Sequence, residues 1–386
     1  MTQPAAAARL VRDLTELETP RLLLETARLA RNVDRMRARC AALGVILRPH
    51  LKTGKSLEVA AVADAGTHGP ITVSTLKEAA YFAQGGYRDI LYAVALAPNK
   101  IRQVDALQGE TGARILLTVD SVETAQALAA AAHGATNRFE VLIEVDCGEH
   151  RSGVAPVADA LLPIANAFAG SPVQLQGVMT HAGHSYAASA PEVIAAIAED
   201  ERAAAVTAAT VLRAAGFACP IVSVGSTPTV LFARHLEGIT EVRCGIYMFW
   251  DLAQLSRGMC APEDLAVSVL ATVIGHNRAA RSLVLDAGAL ALSKDLGANA
   301  FLPDAKYGYV CDPRTLERLG DLSVDVVHQE HGTVHVRDAA WFDRLPVGSV
   351  VRILPNHACI TCAAYESYDL VEDGRRTGSW PRINGW

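Results

Sequence analysis

Eight short apolar runs, separated by alanine-rich stretches of helical character, fill residues 46–247. They are ILRPHLK (46–52), GPITVST (69–75), DILYAVA (89–95), ARILLTVD (113–120), FEVLIEVD (139–146), LQGVMTHA (175–182), CPIVSVGS (219–226) and TEVRCGIY (240–247). Most are nearly continuous in apolar residues, as strands of a parallel sheet covered on both faces must be. Between them, segments such as EVIAAIAEDERAAAVTAATVLRAAG read as helices, this one closed by Gly216. Eight strand–helix units in succession fit a closed (β/α)8 TIM-like barrel better than an open sheet. From about residue 262 the texture changes to short β runs with turns between them, among them AVSVLATVIGH, SLVLDAGAL, GTVHVRD and GSVVRILPNHA. This reads as a second, all-β C-terminal domain, to which TPRLLLE (19–25) can add a strand. The expected division is a barrel over 26–258 and a β-rich domain formed by 1–25 plus 259–386.

The bulk numbers narrow the partners. Among 386 residues, 35 basic side chains face 41 acidic ones, and no basic stripe suggests nucleic acid. No run approaches the length of a membrane-spanning helix, and the start lacks the apolar core of an export signal, so a cytoplasmic protein acting on small molecules is expected. The eight scattered cysteines fit reduced thiols better than a disulfide frame.

A barrel collects functional groups where its strands end. Those ends carry Lys52, Ser74 and Thr75, Asp120, DCGEHRSG (146–153) with Arg151, HAGHSY (181–186), SVGSTPT (223–229) and Tyr247. The opposite ends are poorer, with Gly69, Asp89 and Cys219. His50 and Lys52 are two apart and would project from one face of an extended chain. An ammonium at the end of a buried strand is costly without a partner or a chemical use, although a snorkelling surface lysine has the same spacing. Lys55, three residues on, reads as the neighbour of a helix start. SVGSTPT offers a glycine, small hydroxyls and backbone donors after the seventh strand, where barrels hold phosphate, and Gly245 adds an amide. A lysine facing a phosphate cradle suggests a pyridoxal 5'-phosphate Schiff base.

In the second domain, His357 and Cys359 are two apart and would share a strand face, with Cys362 pointing away. Imidazole and thiolate suit zinc, and two protein ligands leave positions open for water or substrate. A redox Cys-x-x-Cys pair or two buried cysteines fit the same spacing.

The stretches RPHLKTGKS, ITVSTLKEA, HAGHSY, SVGSTPT, EVRCGIYMFWDL, DAGALALSKD, QEHG and PNHACIT together resemble the fold-type III pyridoxal-phosphate enzymes. The likeness is to the D-serine and D-3-hydroxyaspartate dehydratase group, with D-threonine aldolases as cousins, and it covers nearly the whole chain. It implies an alanine-racemase-like barrel joined to a β domain, and Lys52 as the Schiff-base lysine. It implies cofactor contacts from Tyr186, Ser226, Thr227, Gly245 and the backbone of Ile246, with Arg151 near the phenolic oxygen. His50 would line the ring or simply pack. Met179 and Ile246 stand where the family often has Tyr and Asn, which leaves the pyridine edge without an assigned partner. Zinc at His357 and Cys359 is also implied, as is a homodimer. The implied reaction takes a D-β-hydroxy amino acid to a 2-oxo acid and ammonia, with Lys52 as base and zinc assisting hydroxyl departure. An aldolase would use the same parts and release glycine. A racemase needs a second base, from Tyr186 or a partner chain. A cofactor-carrying regulatory protein with the barrel alone would lack the β domain.

Overall fold

The computed structural model describes residues 11–386, so residues 1–10 of the expected β-rich domain lie outside the described residues. Eight parallel strands form the first compact unit: β1 (Ile46–Leu47), β2 (Ile71–Val73), β3 (Asp89–Ala95), β4 (Arg114–Val119), β5 (Glu140–Val145), β6 (Gln174–Thr180), β7 (Ile221–Val224) and β8 (Glu241–Val242). Their spatial order is β1-β8-β7-β6-β5-β4-β3-β2. Beyond β1 the chain reaches β2 through a parallel bridge from His50 to Thr72, where the Thr72 N–H donates to Pro49 O at 2.9 Å and the Leu51 N–H to Thr72 O at 2.9 Å. That bridge closes the sheet on itself, as the eight-fold pattern predicts.

The near-continuous apolar strands are buried on both faces. In β4 and β5 every residue but the first is buried. Leu91, Leu116, Leu142 and Met179 pack as one cluster contributed by β3, β4, β5 and β6. Hydroxyl caps start the helices that follow β2 and β4: Thr75 accepts from the Glu78 N–H and Ser121 from the Thr124 N–H. At the start of the strands, Arg48 Nε donates to Glu241 at 2.9 Å and its guanidinium also reaches Asp89 at 2.9 Å. These charges are tied together, which suits a face that serves stability.

The second unit comprises the described residues up to Asn32 together with Met248–Asn384. Its sheet is organised around the strand Val267–Asn277, which pairs with Arg21–Glu25 and Val350–Pro355 and, from Val273 onward, with Ser282–Leu285, a ladder whose register shifts between Val273 and Gly275. Leu14, Leu23, Leu270 and Val371 form a core cluster in it. The TPRLLLE run does supply a strand here. The division falls at 32/33 and 247/248, inside the expected boundaries of 26 and 258. Side-chain bonds account for this: Asn32 donates to Met248 O at 3.1 Å and Asp264 O at 2.8 Å, and Arg28 to Pro262 O and Leu265 O at 3.1 Å each. The rings of Phe249 and Tyr368 also pack edge-on, 5.5 Å apart.

Among the described residues no helix is long and apolar enough to cross a membrane.

Candidate active site

In the barrel unit, β1 ends early and the chain turns over residues 51–54, which brings Lys52 to the strand-end rim with its side chain exposed. Lys55, in a left-handed conformation, is committed elsewhere: its Nζ lies 3.1 Å from Glu78, a carboxylate 1% exposed. Lys55 is thus bound to a buried carboxylate while Lys52 is presented at the rim. The Lys52 charge lies close to His50 and His181 and helps to depress both. Burial is the main cause, Arg243 adds to it, and the His181 ring is pushed down to about 3. His181 Nδ1 sits 2.8 Å from Gly225 O, and since a carbonyl only accepts, that nitrogen carries the proton. His181 is thus a neutral ring of fixed tautomer beside the lysine.

The cradle after β7 has features that suit a phosphate. Thr227 is buried and its hydroxyl has no hydrogen-bond partner among the described residues. Gly225 has φ +135°, and a Cβ there would stand 2.6 Å from the Arg243 backbone nitrogen. A Cβ on Gly245 would stand 2.5 Å from His50 O. Both approaches require glycine. The Thr227 N–H donates to Tyr186 Oη at 3.4 Å, so these two expected contacts are brought together. Ser226 differs: its hydroxyl caps the next helix and bonds Ser185 at 2.8 Å, and its N–H goes to Thr229 Oγ1 at 3.1 Å. Ile246 opens a short turn after β8. Arg151 lies outward and pairs with Glu149 at 3.3 Å. Met179 belongs to the core cluster, and its sulfur accepts from Thr118 Oγ1 at 3.2 Å.

Glu201 was not among the expected site residues. One of its oxygens accepts from the Ala182 N–H at 2.9 Å and the Gly225 N–H at 3.0 Å, joining the loops after β6 and β7. It is 2% exposed, and burial raises its pKa. Its sequence signal is positional: Ile194, Ala198, Glu201, Ala205, Ala208 and Leu212 are all buried along one helix, Pro191–Ala214. A glutamate in an apolar stripe needs partners.

The metal motif corrects one expectation. His357 and Cys359 do not share a strand face, because the strand ends at Pro355 and Ala358–Cys362 is a short helix. Buried Asn356 makes the break: its Oδ1 accepts from the Ala298 N–H at 2.7 Å and its Nδ2 donates to Lys306 O at 2.7 Å. The Ala358 N–H then donates to Asp251 Oδ2 at 2.9 Å. The turn nevertheless brings the pair together, since the His357 and Cys359 side chains hydrogen-bond each other. Burial opposes a charged His357 ring, but Asp295 and Cys359 outweigh it and hold its pKa up to about 11. Converging imidazole and thiolate fit a borderline-soft metal. Among the described residues no set of three His, Cys, Asp or Glu side chains is placed to hold one.

Comparison with known proteins accounts for both halves. The alanine racemase N-terminal domain matches residues 24–252, and a serine dehydratase domain matches residues 266–371. The chain is 46% identical over 378 residues to D-threo-3-hydroxyaspartate dehydratase of Delftia sp. (strain HT23), covering 97% of this chain and 99% of that protein. It is 32% identical over 382 residues to D-serine dehydratase of Dictyostelium discoideum, covering 94% and 95%. A 3-hydroxy-D-aspartate aldolase of Paracoccus denitrificans (strain Pd 1222) is more distant, 29% identical over 384 residues that cover 96% of this chain and 92% of that one. A solved structure of a cysteine-to-alanine variant of D-threo-3-hydroxyaspartate dehydratase, in its metal-free form, superimposes with a TM-score of 0.93 at 44% identity, covering 97% of this chain and all of that one. Domain by domain and along nearly its full length, the chain belongs to the fold-type III, alanine-racemase-like pyridoxal-phosphate enzymes, in the group of the D-serine and D-3-hydroxyaspartate dehydratases.

Proposed function

We propose that this enzyme is a metal-dependent lyase that dehydrates a D-β-hydroxy amino acid, D-threo-3-hydroxyaspartate or D-serine, to a 2-oxo acid and ammonia. The observation that carries this reading is 46% identity, end to end, to a dehydratase of D-threo-3-hydroxyaspartate. The residues present fit both groups the reaction needs. An amine at Lys52 stands at the rim, the buried Thr227 hydroxyl is without a partner among the described residues, and His357 and Cys359 offer nitrogen and sulfur side by side.

Pyridoxal phosphate supplies an electron sink for the carbanion left when the α-proton departs. Lys52 Nζ would hold the cofactor, and as a free amine at the rim it would be placed to take that proton. Thr227 Oγ1 and the Gly225–Thr227 turn anchor the phosphate, and Tyr186 supports the turn. His181, kept neutral and aimed by Gly225 O, adds no positive charge beside Lys52. The imidazole of His357 and the thiolate of Cys359 would hold the metal, zinc by their chemistry, and it would supply Lewis acidity toward the β-hydroxyl. The closely similar structure described as metal-free supports a metal in this group.

The test is product analysis on the cofactor- and zinc-loaded enzyme with D-serine, both D-3-hydroxyaspartates and D-threonine. Ammonia and 2-oxo acid in equal amounts are expected from a β-hydroxy substrate. Glycine with an aldehyde would replace this reading by the aldolase one.

A further inference from the structure

The motif DAGALALSKD ends in Asp295, a residue without a part in the proton transfer or the cofactor cradle. Its backbone N–H donates to Ser293 Oγ at 3.2 Å, and its Oδ1 accepts from the Gly297 N–H at 2.7 Å, so the carboxylate is fixed within its own turn. The remaining oxygen, Oδ2, lies 2.6 Å from His357 Nδ1. A carboxylate can only accept here, so Nδ1 carries a proton and its lone pair is not available to a metal. That leaves Nε2 as the one nitrogen of this ring able to coordinate.

Asp251 fixes the same motif from the backbone side. It is 1% exposed, accepts from the Gln254 N–H at 2.9 Å through Oδ1, and accepts from the Ala358 N–H at 2.9 Å through Oδ2. Asp251 thus holds the residue between His357 and Cys359, while Asp295 holds the ring. Where a protein supplies few ligands, orientation of each one weighs more heavily in affinity, and outer carboxylates commonly set it.

We propose that Asp295 is a positioning residue of the metal centre: by accepting the His357 Nδ1–H it fixes the imidazole tautomer and rotation that present Nε2 to the metal. This rests on the reading of His357 and Cys359 as ligands.

The experiment is a competition between the cofactor-loaded protein and a chromophoric chelator for Zn2+ alone. Wild type is compared with Asp295→Ala, Asp295→Asn, His357→Ala and Cys359→Ala. Loss of an outer-shell partner typically weakens metal binding by about 10–100-fold. Asp295→Ala is expected near the upper end of that range and Asp295→Asn near tenfold, because an amide carries no charge and has one acceptor oxygen to serve either the Gly297 N–H or the His357 Nδ1–H. The cofactor absorbance of Asp295→Asn should match wild type, so that the loss is confined to the metal centre and does not spread through the fold. Zinc affinity within twofold of wild type in Asp295→Asn, with His357→Ala and Cys359→Ala both weakened, would overturn the proposal. Should His357→Ala and Cys359→Ala bind zinc like wild type, the ligand assignment beneath it fails instead.

Discussion

At the residue scale, Lys55 is bound to Glu78 while Lys52 is presented at the rim. Lys52→Ala should abolish turnover and cofactor absorbance, and borohydride should trap the cofactor on Lys52 in the wild type. Lys55→Met should keep both, but leave Glu78 short of a charged donor, a loss of about 1.5–3 kcal/mol in chemical denaturation. A peptide map showing the cofactor on Lys55 would reverse the assignment. Thr227→Val tests the cradle. Because the hydroxyl has no partner among the described residues, stability without cofactor should stay near wild type, while a lost hydrogen bond to a charged group should weaken cofactor binding about tenfold or more. His181 carries a pH signature. Its folded pKa, about 3, lies below the ordinary 6.5, so between those values the unfolded chain binds a proton that the folded protein excludes. Stability is therefore full above pH 6.5 and declines as pH falls toward 3, with His50 acting in the same direction. His181→Gln should flatten the dependence of urea unfolding on pH between 7 and 5. An unchanged slope would mean that the ring is not held neutral.

At the scale of elements, the loops after β6 and β7 are joined through one carboxylate oxygen of Glu201. Glu201→Ala would leave two buried N–H groups without acceptors, each costing about 1–3 kcal/mol, and should loosen the cofactor with them. Glu201→Gln keeps an oxygen at the same reach and should retain much of the binding, read as cofactor affinity by fluorescence titration. The sequence pattern showed where the loops lie, because strand ends follow from the run of apolar residues. Glu201 was legible only through its place in the buried stripe of its helix, since nothing local marks it. The β1 run was overread in length: Arg48 leaves the apolar pattern to bind Glu241 and Asp89, and the regular strand is two residues long. The metal pair was legible in type but not in geometry. A period of two is a strand rule, and Asn356 breaks the strand before it applies. The partner that aims His357 lies 62 residues earlier in the chain, a separation that no local spacing reveals.

At the scale of the whole molecule, the chain joins a barrel unit carrying the amine to a strand-rich unit carrying imidazole and thiolate. Carbanion stabilisation is the cofactor's chemistry, whereas the fate of the substrate depends on what assists the leaving group. A closed structural zinc would unfold its site on removal, because its binding energy is folding energy. The protein supplies too few ligands for such a site among the described residues, so chelation should leave the fold and the cofactor absorbance in place. The leaving group then separates the roles of the two units. β-Chloro-D-alanine loses chloride without a Lewis acid, while D-threo-3-hydroxyaspartate must lose hydroxide. The most direct measurement is ammonia release from both substrates by one preparation, before and after removal of metal, with cofactor absorbance recorded throughout. The stripped enzyme is expected to stop releasing ammonia from D-threo-3-hydroxyaspartate, to continue eliminating chloride from β-chloro-D-alanine, and to recover the first reaction when Zn2+ is restored. Equal loss of both reactions with an intact cofactor, or undiminished dehydration without metal, would contradict metal-assisted departure of the hydroxyl.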